Sequence, residues 1–309
     1  MKIVSLLPSA TEIVFALGVG DELAGVTFEC DFPPEAREKT VVSGTALPTD
    51  RRLSAAEIDA EVSSTVSSGE AIYTLDAERI RAIAPDLIVA QDLCEVCAVP
   101  SGAVEEALDV LGCRARVISL DPASLDDVIE CLRVVGEATG AADRAIELMR
   151  ELRRRIRAVE AAVADRARPT VLPLEWSAPP FSGGHWIPDM ITAAGGQPVL
   201  APPGERSRRL DWSEIASVEV DVAVFMPCGY GLDEAVEEGT AMLEQPALAD
   251  ADRIYAVDAT AYFSRPGPRL VDGVELLASI LHPDVGILPP ERAAYPLRDS
   301  TVGALHQPP

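Results

Sequence analysis

Between residues 124 and 168 apolar side chains recur at helical spacing with no strand signal, and a helical rod in mid-chain leaves few architectures open. Val128, Leu132 and Val135 form one stripe. Ala145, Met149, Leu152, Ile156, Val159 and Val163 continue it in steps of three and four, the spacing of one face of an amphipathic helix. Gly136, Thr139 and Gly140 weaken the middle. This predicts a first helix ending near Ala138 and a longer second one over 141–167, stopped by Pro169. Arg153, Arg154, Arg155 and Arg157 complement the negative end of the second helix and read as a solvated helix face in preference to a nucleic-acid surface.

On either side of this rod, short apolar runs alternate with helical patterns. Upstream, 2–7, 23–28, 87–91 and 116–120 read as buried strands; downstream, strands at 170–174, 220–226 and 253–257 alternate with helices at 187–194, 213–218 and 270–281. Such alternation implies a mostly parallel sheet in each half. The expected fold is α/β: two α/β lobes with mostly parallel sheets, joined by a long backbone helix, with a ligand cleft between the lobes. The expected boundaries are 1–123 for the first lobe, 124–168 for the helix, 169–288 for the second lobe and 289–309 for a loosely ordered tail. With 309 residues, 48% of them hydrophobic, there is material for a sizeable core.

The balance of 26 basic against 50 acidic residues gives a net charge of −24, which repels nucleic acid and anionic membrane surfaces. No stretch approaches the roughly 18 apolar residues of a membrane span, so no membrane insertion is expected. Met1 and Lys2 lead straight into a short apolar run ended by Pro8, unlike a secretory signal, and with Met1 as the native start the expected localisation is cytoplasmic.

Ser9, followed three residues later by Glu12, reads as a capping box for a helix over 11–17 that Gly18 closes. Ser9 and Thr11 thereby stand at the carboxyl end of the first strand, where free amides either hold a ligand or are simply capped. Glu29 and Cys30 follow the second strand. A polar loop over 45–70 carries a short helical signal at 54–60 and a serine-rich segment, 63–69, expected to move. Gln91, Asp92, Cys94 and Cys97 follow the strand at 87–91. The Cys-x-x-Cys pair reads as a redox dithiol, half of a metal site or two buried thiols, and its position ahead of the next helix disfavours the first.

A closed metal site takes about four ligands. Cys113 and Cys131 read as small core residues. Cys30, Cys94, Cys97 and Cys228 all follow strand carboxyl ends, so they either converge on an iron-sulfur cluster or zinc or stay free thiols in an empty cleft. In the second lobe, Trp176, Phe181, Gly183, Gly184, His185 and Trp186 meet between a strand end and a helix start. They form an aromatic wall for a large planar or apolar partner, with one tryptophan expected to belong to the core. His185 either ligates a metal or caps the helix. Tyr230 lies in a further strand-end loop, as do Tyr262 and Arg265, the last suited to an anionic ligand.

The opening run from Met1 through Leu7-Pro8-Ser9-Ala10-Thr11-Glu12 to Ile13 resembles the cobalamin-type substrate-binding proteins of ABC importers. So do Leu75-Asp76 leading to the strand after Pro85, the central helix, and residues 253–257 before the final helix. That class, built on a rigid helical backbone, binds corrinoids, iron-siderophores, haem or metal ions. The resemblance runs to about Val285. It implies a cobalamin-like or metal-containing cofactor held between two α/β lobes, and a transporter partner. The family's members are normally exported or lipid-anchored, and transport does not require the cysteine loops. The chain departs from the family on both counts, and these departures suggest a leaderless, cytosolic member that holds a corrinoid or a cluster for another purpose, with an enzyme as the other candidate partner. A cluster-dependent enzyme is the competing class, because the chain has no nucleophile elbow, phosphate-cradling Gly-Lys-Ser/Thr loop or His-Glu-x-x-His, and only three histidines. A pure interaction module is the third reading.

Overall fold

A computed structural model describes residues 1–48, 51–68, 71–91 and 115–299. Two compact units emerge, one of Met1–Pro122 with Asp126–Leu152 and one of Ala123–Leu125 with Arg153–Pro309.

In the first unit, strands β1 (Ile3–Ser5), β2 (Leu23–Val26) and β3 (Thr40–Val41) precede β4 (Ser43–Thr45), β5 (Tyr73–Leu75), β6 (Leu87–Ala90) and β7 (Arg116–Ser119). Helix α1 (Pro8–Ala16) follows β1, α2 (Ala55–Ser67) lies between β4 and β5, and α3 (Ala77–Ile83) precedes β6. Five strands form a parallel sheet in the order β3-β2-β1-β6-β7, while β4 and β5 pair separately as an antiparallel ribbon. Every residue of β1 and β6 is buried, as a strand covered on both faces requires. From β1 the chain passes to β2 on one side and later to β6 on the other. The strand order therefore reverses between β1 and β6, and the carboxyl ends of this pair flank the crevice where open α/β sheets take ligands.

Two local expectations are corrected here. Helix α1 begins at Pro8 with Leu7 as its cap residue and no side-chain capping bond, so Ser9 sits inside the first turn and does not form a capping box. Proline suits that first position because its fixed φ is already helical and its missing N–H has no partner to lose. Gly18, at φ +76°, does close the helix. The polar loop over 45–70, with its short helical signal at 54–60, instead carries a longer helix, α2, which runs to Ser67 from a capping box of Ser54 and Glu57. The serine hydroxyls there bond back along the helix, Ser67 to the Ser64 carbonyl at 2.9 Å and Ser68 to the Thr65 carbonyl at 2.8 Å, so polarity did not mean loop.

The helical rod is two helices, α4 (Leu125–Thr139) and α5 (Ala142–Val163), separated by Gly140 at φ +75°. A Cβ on Gly136 would lie 2.6 Å from Ala145 Cβ, so its lack of a side chain lets the two helices meet. The expected stripe is buried throughout, except for half-buried Ile156. The division between the two units falls within α5, after Leu152.

The second unit contains β8 (Thr170–Ser177), β9 (Pro180–Ser182), β10 (Gln197–Pro198), β11 (Val222–Phe225), β12 (Arg253–Val257) and β13 (Ala294–Asp299). Its helices are α6 (Ile187–Ala193), α7 (Trp212–Ile215), α8 (Leu232–Met242), α9 (Ala259–Tyr262) and α10 (Leu270–Leu281). The sheet order is β10-β8-β11-β12-β13, parallel except that β13 runs antiparallel to β12, and β9 folds back on β8. Leu172, Leu174, Phe225, Ile254, Met242 and Leu248 pack as its core. Here the order reverses between β8 and β11.

Within the expected tail over 289–309, residues 294–299 instead form β13, which pairs along the whole of β12. Pro296 argues against a strand in sequence but is tolerated because β13 is an edge. Arg155, taken as part of a solvated helix face, instead reaches α10 and binds Asp272 and Glu275. Among the described residues no helix is long and apolar enough to cross a membrane.

Candidate functional site

At the switch point of the second unit, the carboxyl end of β8 presents Trp176, half-buried, against Tyr230 from the loop after β11. The two rings meet edge to face, with centroids 5.3 Å apart and planes at 67°, a favoured aromatic geometry. Backbone bonds fix that loop: Cys228 N–H donates to the Glu175 carbonyl at 3.2 Å, and Thr260 N–H of α9 donates to the Tyr230 carbonyl at 3.1 Å. Gly229, at φ +82°, makes the turn between them. Three strand ends are thereby tied around one aromatic pair.

The structure also decides between the two tryptophans. Trp186 is 7% exposed and donates its indole N–H to the Phe263 carbonyl at 2.8 Å, which makes it the core residue and leaves Trp176 at the surface. His185 stacks on Trp186 with centroids 5.5 Å apart. It does not cap α6, whose cap residue is Trp186, without a side-chain capping bond. Its backbone, in the left-handed region at φ +52°, is held by a 2.6 Å bond from its N–H to the Glu205 carbonyl. Its Nε2 is buried with no hydrogen-bond partner among the described residues. Burial, reinforced by the Arg206 charge, holds the imidazole below its usual range. Gly184 N–H donates to Glu175 Oε1 at 3.0 Å, joining this loop to the end of β8.

Tyr262 and Arg265 are half-buried beyond β12. The Arg269 guanidinium lies 6.0 Å over the Tyr262 ring. Burial pushes the Tyr262 phenol up.

In the first unit, Ser9 and Thr11 are buried, at 1% and 0% exposure. The Thr11 hydroxyl sits 2.9 Å from Ser5 Oγ and 3.1 Å from the Cys30 sulfur, and Thr27 Oγ1 is 3.1 Å from the same sulfur. Gln91 is buried at the end of β6. Glu29 is half-buried and accepts from the Tyr73 hydroxyl at 3.4 Å. The exposed Phe28 ring lies 6.1 Å from that of Tyr73. Neither aromatic was singled out from sequence. Phe28 carried a signal, an apolar residue directly before the polar group that ends β2. Tyr73 becomes visible only once β4 and β5 pair.

The chain matches the periplasmic binding protein family over residues 3–261. It belongs to that family. An uncharacterized ABC transporter substrate-binding lipoprotein of Bacillus subtilis is 24% identical over 289 residues, spanning 92% of this chain and 80% of that protein. A cobalamin-binding protein of Halobacterium salinarum is 27% identical over 290 residues, spanning 91% and 69%. Among solved structures, the periplasmic vitamin B12-binding protein of Vibrio cholerae aligns with a TM-score of 0.66 at 21% identity, covering 91% of this chain and 96% of that one.

In this periplasmic binding protein the cysteines occupy dissimilar surroundings. Cys30 is 4% exposed, its sulfur between two threonine hydroxyls, whereas Cys228 is exposed. Cys131 is buried in α4, and burial pushes its thiol up to about 12, in keeping with a core residue. Asp92, Cys94 and Cys97 lie outside the described residues, as does Cys113. Among the described residues no cluster of three or more histidine, cysteine, aspartate or glutamate side chains is arranged to hold a metal ion.

Proposed function

We propose that this chain is a substrate-binding protein for a corrinoid of the cobalamin type, which it passes to an ABC importer. The observation that carries the reading is the Trp176–Tyr230 edge pair at the strand-order reversal of the second unit, held by three strand ends. A half-buried indole edge and face suit a large, partly apolar macrocycle, and the neighbouring polar groups suit its peripheral amides. The cobalamin-binding relative, aligned over 91% of the chain, supports the same ligand class.

The test is isothermal titration with cyanocobalamin, followed by gel filtration to see whether the red colour stays with the protein. One corrinoid per chain with micromolar or tighter affinity is expected. Retention of haem or ferric iron with no corrinoid uptake would overturn the ligand assignment. The four-cysteine cluster rests on spacing alone. A brown, iron- and sulfide-containing protein from anaerobic purification would restore it and displace the corrinoid reading.

A further inference from the structure

The aromatic pair at the end of β8 is the beginning of a longer row. In the β8–β9 register Trp176 lies opposite Phe181, and Phe181 lies opposite Arg209 through an isolated antiparallel bridge. Residues directly opposite one another put their side chains on the same side of a sheet. Tyr230, Trp176, Phe181 and Arg209 therefore follow one another across neighbouring segments. The Arg209 guanidinium sits 5.8 Å over the Phe181 ring. The segment carrying it is held as a strap along β9: Ser182 N–H donates to the Arg208 carbonyl at 2.9 Å, and Leu210 N–H to the Pro180 carbonyl at 2.8 Å. Its inner end packs so closely on the His185 loop that a Cβ on Gly184 would come within 2.2 Å of Ser207 N. Arg209 is exposed, so the row ends in a cation at the protein surface, on a chain whose net charge is −24.

We infer that Arg209 is a specificity residue, which binds an anionic substituent at the rim of the macrocycle lying along Tyr230, Trp176 and Phe181. A cobalamin carries one negatively charged group, the phosphodiester of its nucleotide loop, among neutral amides. A guanidinium matches two phosphate oxygens in one plane, and stacking on Phe181 orients it beforehand. A haem offers the same chemistry through its propionates. The inference rests on the proposed macrocycle reading but concerns the charge at the rim, not the identity of the ring.

The experiment compares Arg209→Gln and Arg209→Lys with the wild type against cyanocobalamin and against dicyanocobinamide, which lacks the phosphodiester and nucleotide. Expected is a loss of about tenfold or more in cobalamin affinity for Arg209→Gln, with unchanged cobinamide affinity, partial recovery in Arg209→Lys and an unchanged melting temperature. Equal weakening toward both corrinoids would reduce Arg209 to packing on Phe181 and overturn the inference, as would no change toward either. If the wild type takes up no corrinoid, the corrinoid reading fails by itself. Haem and its dimethyl ester then serve as the charged and uncharged pair, and selective loss for haem upholds the role of Arg209. Equal responses overturn it, and uptake of none of the four compounds overturns both readings.

Discussion

Arg155 on α5 forks onto Glu275 on α10, with Nε 2.9 Å from Oε1 and the second nitrogen 2.6 Å from Oε2, while that nitrogen also reaches Asp272 Oδ1 at 2.5 Å. All three side chains are about one-quarter exposed, so water screens the group only in part. The two carboxylates hold the guanidinium pKa above its ordinary value, and Glu275 contributes most.

Arg155→Ala leaves two carboxylates one turn apart on α10 without their shared cation. The expected cost is about 2 kcal/mol, read as a shift in urea midpoint. Arg155→Met combined with Glu275→Gln should cost less than the sum of the single changes. An additive pair would show that the fork contributes nothing beyond its separate side chains.

The tryptophans should separate stability from binding. Trp186→Ala removes a buried indole and its bond to the Phe263 carbonyl, with an expected loss of about 3–5 kcal/mol in chemical denaturation. Trp176→Ala removes a half-buried ring and should cost about 1–2 kcal/mol, yet weaken corrinoid binding tenfold or more. The opposite ranking in the titration would remove Trp176 from the ligand face.

Both described histidines resist protonation when folded. Burial lowers the pKa of His185, and burial likewise lowers that of His282, against the bond to the Gly195 carbonyl. Below about pH 6.5 the unfolded chain binds more protons than the folded one, so stability falls as pH drops from there toward the folded pKa values. Above that range neither histidine contributes any pH dependence. Melting temperatures between pH 5 and 8 should show this slope, and a His185→Gln, His282→Gln double variant should flatten it.

Truncation after Arg292 distinguishes a strand from a tail. It removes β13, with the Tyr255–Asp299 hydrogen bond, the Arg298 bond to the Leu248 carbonyl and Leu297 packed on the core. A loss of at least about 2 kcal/mol is expected from the apolar burial alone. Thermal unfolding that matches the full chain would contradict this.

The amino-acid sequence by itself determined the elements whose physics is local. The stripe from Val128 to Val163 repeats with helical period whatever packs on it, the buried strands at β6 and β11 read as unbroken apolar runs, and Gly18 and Gly140 punctuate because few other residues adopt their backbone angles. The family resemblance, carried by the opening motif and the order of elements, was present at that level too, and the family match over residues 3–261 agrees with it. Only the tertiary structure decided which tryptophan is buried, since the buried Trp186 indole N–H finds its acceptor in a carbonyl 77 residues away. It likewise placed the Cys30 sulfur beside Thr11 and Thr27, paired Arg155 with α10 and turned residues 294–299 into a sheet edge. The reason is common to all four. Burial, ion pairing and strand pairing depend on partners distant in sequence, and the pattern around a residue records its own preferences but not which partner the fold brings to it.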